Sequence, residues 1–210
     1  MLLAIDTSVG TSVAIVDRDR GILAERISED TRRHAELVGD FIVSCLGESG
    51  IAASELSGVA LGMGPGPFTG LRVGIATGRV FAFARGIPVV PIASHEAVAM
   101  REGGRVIIVT RARRNEVYWS SYGEPDADGL PVPERGPNIA RIVDGAGVPD
   151  EAASAGTGYR LVEASAVSAG SLGMLAERMF ALGRPFVADE ALYLRPPDAI
   201  APGASKRVST

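Results

Sequence analysis

The sequence predicts an α/β protein built twice from one plan, and three observations predict it. Short apolar runs alternate with amphipathic stretches through the first hundred residues. The order strand, polar turn, strand, acidic turn with glycine at residues 2–21 recurs at 105–129, an offset of about half the chain, as a duplication would give. With 46% hydrophobic and 22% charged residues, the chain also has enough apolar material for a core.

The elements follow in order. Residues 2–5 and 12–16 read as buried strands, and Asp17-Arg18-Asp19-Arg20-Gly21 turns the chain into a third strand at 22–27. Leu37/Val38, Phe41/Ile42 and Cys45/Leu46 recur every four residues and give a helix one apolar face, ended by Gly47 and Gly50. A strand at 59–63 runs into the turn Gly64-Pro65-Gly66-Pro67. The helix at 69–85 stops at Gly86 and Pro88, and a strand at 89–92 and a short helix at 95–101 follow. Strands are expected at 105–110 and 117–122. Residues 136–149 read as loop, and 153–155 as a strand ending in the turn Gly156-Thr157-Gly158. Leu172, Leu175, Ala176, Met179 and Phe180 mark a last amphipathic helix, capped by Gly183 and stopped by Pro185. The tail from Pro196 reads as mobile.

Composition excludes several classes. The formal net charge is −4 and Lys206 is the only lysine, which argues against a broad phosphate-binding surface. Cys45 is the single cysteine, so no intrachain disulfide and no cysteine zinc site can form, and its apolar neighbours make it a small core residue. His34 and His95 are the only histidines, without a metal-ligand spacing; both are expected near helix starts and facing solvent, and no metal is expected. The N-terminus lacks a basic leader and no stretch has the length of a membrane span, so a cytoplasmic location is expected.

Two segments are candidates for chemistry. Asp6-Thr7-Ser8-Val9-Gly10-Thr11-Ser12 puts an acid at a strand end before a hydroxyl- and glycine-rich turn. Duplicated actin-like ATPases begin this way, with the acid holding a magnesium-bound water and the turn amides facing a phosphate. Turn chemistry favours the other reading, in which the Asp and Thr side chains close a tight hairpin. The turn from Gly64 to Gly70 leads into a helix, where an anion can bind, but it lacks the lysine of a Walker loop, and Pro65 and Pro67 remove two amide donors. It reads as a rigid launch for the helix. That helix carries Gly70, Gly74 and Gly78 in one row, continued by Ala82, at a cost of roughly 1 kcal/mol per glycine. Close approach of another backbone explains such a row, either this chain's own sheet or a helix of another subunit. If a subunit lies there, leucine at Gly74 abolishes pairing and spares the fold; if the row packs internally, it unfolds the protein.

Ile5-Asp6-Thr7, Gly64-Pro65-Gly66-Pro67-Phe68-Thr69-Gly70-Leu71-Arg72-Val73-Gly74 and Ala112-Arg113-Arg114-Asn115-Glu116-Val117-Tyr118-Trp119 resemble the TsaB (YeaZ) family. Gly156-Thr157-Gly158 and Tyr193-Leu194-Arg195 continue the likeness in the same order, from about Leu2 to Arg195. The resemblance implies a duplicated actin-like ATPase (ASKHA) fold of two subdomains, each a mixed sheet flanked by helices. These would span 1–103, with the partner-binding helices, and 104–195, followed by a flexible tail at 196–210. It implies a degenerate nucleotide site with Asp6, Thr7, Ser8 and Thr11 as vestigial phosphate-loop residues, no cofactor and no catalytic residues. It further implies a non-catalytic subunit that pairs with the catalytic subunit TsaD and works with the ATPase TsaE. The complex installs threonylcarbamoyladenosine next to the anticodon of tRNA.

On that resemblance the pairing surface maps to the N-terminal-half helices, with Phe41, Pro65, Phe68, Thr69, Gly70, Arg72, Val73, Gly74, Thr77, Gly78 and Phe81 as candidates. A homodimer is implied when the chain is alone, and tRNA contact only indirectly or through the complex. Two positions depart from the family pattern: Pro67 stands where serine is usual and Arg111 where aspartate is usual, and both changes weaken a nucleotide site. The alternative is an enzyme acting alone, either an actin-like ATPase or a glycoprotease-type metallopeptidase, for which the sequence offers no zinc ligands.

Overall fold

The computed structural model describes residues 1–113, 115–141 and 158–195. Five strands, β1 (Leu2–Asp6), β2 (Thr11–Asp17), β3 (Gly21–Ser28), β4 (Gly58–Gly62) and β5 (Val89–Ile92), form a sheet in the order β3-β2-β1-β4-β5. The β1–β2 and β2–β3 pairs are antiparallel, and β1–β4 and β4–β5 are parallel. A second sheet holds β6 (Val106–Arg111), β7 (Glu116–Tyr122), β8 (Pro133–Arg141) and β9 (Arg160–Ala164) in the order β8-β7-β6-β9. Its first three strands are again antiparallel neighbours, and β9 again runs parallel to the first strand of its set. The predicted duplication is thus present in the hydrogen bonding of both sheets.

Period-two alternation explains the layering. Leu3, Ile5, Val13 and Ile15 turn to one face of the first sheet, where α1 (His34–Ser49) and α2 (Phe68–Arg85) cover them. Leu2, Ala4, Ala14 and Val16 turn to the other, into a core shared with α3 (Ser94–Glu102), α4 (Ala169–Ala181) and residues Val106, Ile108 and Tyr122 of the second sheet. Apolar residues on both faces are why these strands read as unbroken runs rather than alternating ones. The helix α4 sits very close to the first sheet: a Cβ at Gly173 would lie 2.7 Å from Val16 and 3.0 Å from Ala4. Its N-terminus is held by the first half of the chain. Glu25 accepts from the Ser168 hydroxyl and the Gly170 amide, both at 2.8 Å, and Ser12 Oγ accepts from the Ala169 amide at 2.9 Å.

Several expectations change. Gly50, with φ 67°, is the left-handed C-cap of α1, whereas Gly47 lies inside the helix. Residues 136–141, expected as loop, belong to β8, and β9 was not foreseen at all. The expected strand at 153–155, residues 142–149 of the expected loop, and the tail at 196–210 lie outside the described residues. Cys45 is fully buried, as its apolar neighbours suggested, and burial pushes its thiol up to about 11.

The histidines do start helices, but neither faces solvent. His95 is 1% exposed, and its ring nitrogens bond Ser120 Oγ (2.8 Å) and Thr110 Oγ1 (3.0 Å), fastening α3 to the second sheet. Burial drives it down to about 3, so it stays neutral. The next residue, Glu96, is pushed up to about 7, also by burial. A raised carboxyl pKa means that the folded protein binds the proton more tightly than the unfolded chain. Its stabilisation is therefore complete below about 4.5 and is lost as pH rises through 7. Glu96→Gln is expected to remove that loss, making the variant more stable than the native protein at pH 8 by on the order of 3 kcal/mol, at about 1.4 kcal/mol per pKa unit. Near pH 4.5 the two should unfold together. Urea titrations at both pH values check this, and equal midpoints at pH 8 would refute it. Comparing variants at fixed pH matters because His95 acts oppositely: its contribution is complete above 6.5 and lost as pH falls through 3.

Candidate functional site

The loop after β1 and the N-terminal half of α2, which the sequence offers as two separate candidates, are the two sides of one contact. Gly66 rests on Ser8, where a Cβ would come 2.5 Å from the Ser8 carbonyl oxygen. One turn further on, a Cβ at Gly70 would lie 2.8 Å from the Thr7 carbonyl oxygen, one at Gly74 would overlap the Thr7 side chain, and one at Gly78 would overlap Leu61. The glycine row therefore faces the chain's own first sheet. Pro65, Gly70, Gly74 and Gly78 are buried inside the protein and offer no surface to a partner, which corrects their assignment to an interface.

Hydrogen bonds complete the contact. Thr7 Oγ1 donates to the Gly70 carbonyl (2.7 Å) and accepts from the Gly74 amide (3.0 Å). These are the carbonyl and amide that pair within an α-helix, so a side chain from the strand end enters the ladder of α2. Asp6 is 1% exposed, and its carboxylate is fully engaged. Oδ1 accepts from the Ser8 amide (2.8 Å) and hydroxyl (2.6 Å), and Oδ2 from Ser94 Oγ (2.5 Å). Ser94 Oγ in turn accepts from the Gly64 amide at 3.0 Å, which holds the turn in place. Burial raises the Asp6 pKa, and the bonds from Ser8 and Ser94 oppose that rise. Gly62 is also required here, because any Cβ would overlap the Asp6 carboxylate. Thr11 Oγ1 lies 2.8 Å from His34 Nδ1, and the His34 ring packs under Gly70. Burial lowers the His34 pKa.

All four phosphate-loop candidates, Asp6, Thr7, Ser8 and Thr11, are thus buried and bonded to this chain itself. They act as a clasp between strand end and helix: the Asp6–Ser8 amide bond is the local turn closure that turn chemistry favours, whereas Thr7 turns away from the hairpin to α2. The sequence did not single out Ser94 and Gly62, and it took His34 for a surface residue. Only the fold brings residues 6, 34, 62, 74 and 94 together.

Beside the clasp, between the two sheets, runs a cleft of about 750 Å³. Val9, Glu29, Arg111, Asn115, Glu116 and Glu163 are among its walls. Glu29 accepts from Ser165 Oγ (2.7 Å), and Glu116 pairs with Arg195 (2.9 Å). Among the described residues its walls set three carboxylates against Arg111, a poor match for a polyanionic phosphate chain. Among the described residues, no group of three or more His, Cys, Asp or Glu is arranged to hold a metal ion.

The outward side of the helices is a different kind of surface. With the glycine row turned inward, Thr69, Arg72, Ala76, Val80 and Phe83 face out along α2. Phe83 is 89% and Val80 68% exposed, and on the neighbouring α1 Val43 is 71% exposed. On α1, Ala35, Gly39 and Gly47 flank Val43 at four-residue steps, all exposed. Of the remaining interface candidates, Phe68, Thr69 and Arg72 are exposed, while Phe41, Val73, Thr77 and Phe81 are half-buried, the three apolar ones at the margin of the core under α1 and α2. The sequence reading missed Val43, Val80 and Phe83. The phase of the glycine row, taken as the buried side, would have found the last two.

Sheet order and duplication define a member of the actin-like class, and in it the loop after β1 is closed by its own side chains. The model of the family described as TsaD, tRNA N6-adenosine threonylcarbamoyltransferase, matches residues 11–145, more than half of the chain. An uncharacterized protein of Mycobacterium tuberculosis is 38% identical over 160 residues, covering 72% of this chain and 74% of that protein. The tRNA threonylcarbamoyladenosine biosynthesis protein TsaB of Haemophilus influenzae is 34% identical over 125 residues, 57% of this chain and 52% of that protein. YeaZ from Pseudomonas aeruginosa superposes with a TM-score of 0.71 at 26% identity, covering 93% of this chain and 99% of that one. The chain belongs to the TsaD family and, within it, to the TsaB (YeaZ) branch. The matches span about half the length of the curated TsaB proteins.

Proposed function

We propose that this protein serves tRNA threonylcarbamoyladenosine biosynthesis as a non-catalytic subunit. It pairs with TsaD through the outward side of α1 and α2, with TsaE as a further member of the complex. The observation that carries this reading is the exposure of Val80 and Phe83, one turn apart on α2, and of Val43 on the neighbouring α1, large apolar side chains of a TsaB-branch protein. Exposed apolar side chains grouped in this way mark interaction sites. This surface self-pairs when the partner is absent, giving a homodimer, and tRNA is reached through the complex. The engaged oxygens of Asp6 and the acidic cleft weigh against an ATPase acting alone, and the described residues offer no cluster of metal ligands to a metallopeptidase.

Size-exclusion chromatography of the purified chain mixed with the TsaD of the same organism is expected to yield a new species, larger than either component. Unchanged elution of both proteins across micromolar concentrations would overturn the proposal. Saturable Mg-ATP binding with turnover by this chain alone would revive the enzyme reading.

A further inference from the structure

After α4 the chain returns across the first sheet as a strap, residues 184–195, and lies along α2. The Leu192 amide donates to the Met63 carbonyl at 2.8 Å, and Val187 and Ala191 pack on the α1–α2 side of the core. Asp189 pairs with Arg79 at 2.7 Å and so neutralises that guanidinium. Tyr193 reaches the first turn of α2. Its ring centroid is 4.9 Å from that of Phe68, with the planes tilted by 42°. The Arg72 guanidinium lies 3.7 Å over the Phe68 ring, and its Nε points at the Tyr193 hydroxyl, 3.4 Å away. Both aromatic rings are 38% exposed.

Arg72 is therefore held in orientation by two aromatic residues, one of them supplied by the strap, yet it makes no ion pair among the described residues. A guanidinium stacked and fixed in this way presents its terminal nitrogens as a planar fork, the geometry that suits a carboxylate. Next to it, a groove of about 580 Å³ runs between α2 and the strap, past Ala76, Arg79, Asp189, Glu190 and Tyr193. We propose that the Phe68–Arg72–Tyr193 cluster anchors the α1–α2 pairing surface by receiving an acidic side chain of the partner subunit.

Charge selects this occupant. One carboxylate satisfies the unpaired Arg72, whereas the polyanionic backbone of an RNA would also meet Asp189 and Glu190 on a chain of net charge −4. The cluster is continuous with Val80 and Phe83, since residues 72, 76, 80 and 83 follow one another along the outward side of α2. Aromatic residues and arginine are also the residue types that dominate binding energy at interfaces. This inference rests on the pairing reading above and adds the strap, which belongs to the opposite end of the sequence, to that surface.

The test is calorimetric titration of the full chain and its variants into the TsaD subunit at two salt concentrations, with thermal melts of each variant as a fold control. Arg72→Ala is expected to weaken binding about tenfold or more, as for an interface hot spot, and to flatten its salt dependence. Tyr193→Ala should weaken it similarly, while Tyr193→Phe, which keeps the stacked ring, should lose less than about threefold. If Tyr193→Ala lowers the melting temperature, Arg72→Ala decides alone, because its side chain is exposed. Binding by Arg72→Ala within about twofold of native, with Val80→Glu abolishing it, would overturn the anchor and leave the pairing surface standing. No effect from either variant would sink the pairing reading itself. Unchanged pairing with weakened tRNA retention by the Arg72→Ala complex would overturn the carboxylate in favour of RNA.

Discussion

Replacing Gly74 with leucine is expected to unfold the protein rather than to block pairing. A side chain at this position enters the space of Thr7, whose hydroxyl bridges the Gly70 carbonyl and the Gly74 amide. Thr7 cannot retreat, because it follows the central strand β1 and is bonded to the helix it would have to leave. Inserting atoms into a close-packed contact costs typically 1–3 kcal/mol for small additions. Four further carbons, with two hydrogen bonds lost, bring the cost to about 4 kcal/mol or more, much of the 5–15 kcal/mol that holds a domain together. Gly74→Ala should be milder, about 1–2 kcal/mol, since alanine recovers roughly 1 kcal/mol of helix propensity. Urea unfolding followed by circular dichroism measures both. Combining Gly74→Ala with Thr7→Ala should restore part of the loss, because the two side chains then no longer compete for one space. A stable, monomeric Gly74→Leu protein would mean that the row faces a partner after all.

Val80→Glu and Phe83→Glu are expected to do the converse. Both side chains stand in solvent, so either substitution should change stability by less than about 0.5 kcal/mol. In an assembled interface, however, a carboxylate in place of an apolar anchor is desolvated without a partner, and affinity should fall by about a hundredfold or more. Analytical ultracentrifugation of the variants with and without TsaD reads this directly. Native sedimentation of both variants in the mixture would show that partners bind elsewhere.

The first sheet was legible because its strands are short apolar runs and its helices carry clear stop signals at Gly50 and Gly86. The second sheet was legible only up to β7. β8 runs through Glu134, Arg135 and Gly136 on an exposed edge, where polar residues are normal and the apolar signal vanishes. The parts of the clasp were visible as motifs, but their union was not, because strand end, turn and helix meet only after β1 and β4 pair. His95 was misjudged for a related reason. Its partners Ser120 and Thr110 come from the other half of the chain, and no local pattern marks a histidine destined for them. The glycine row was read correctly as a sign of close approach, and its direction was left to the structure.

The position of α4 has a consequence for how the protein is made. The inner face of the first sheet, with Leu2, Ala4, Ala14 and Val16, shares its core with α3 and the second sheet and with Leu172, Leu175 and Ala176 of α4. Some seventy residues of chain separate α3 from α4, so on the ribosome the nascent first half waits with apolar surface bare until its cover has been synthesised. Such a gap between sheet and cover is the interval in which aggregation competes with folding. Expression yield should therefore depend on how promptly α4 arrives, quite apart from the stability of the finished protein.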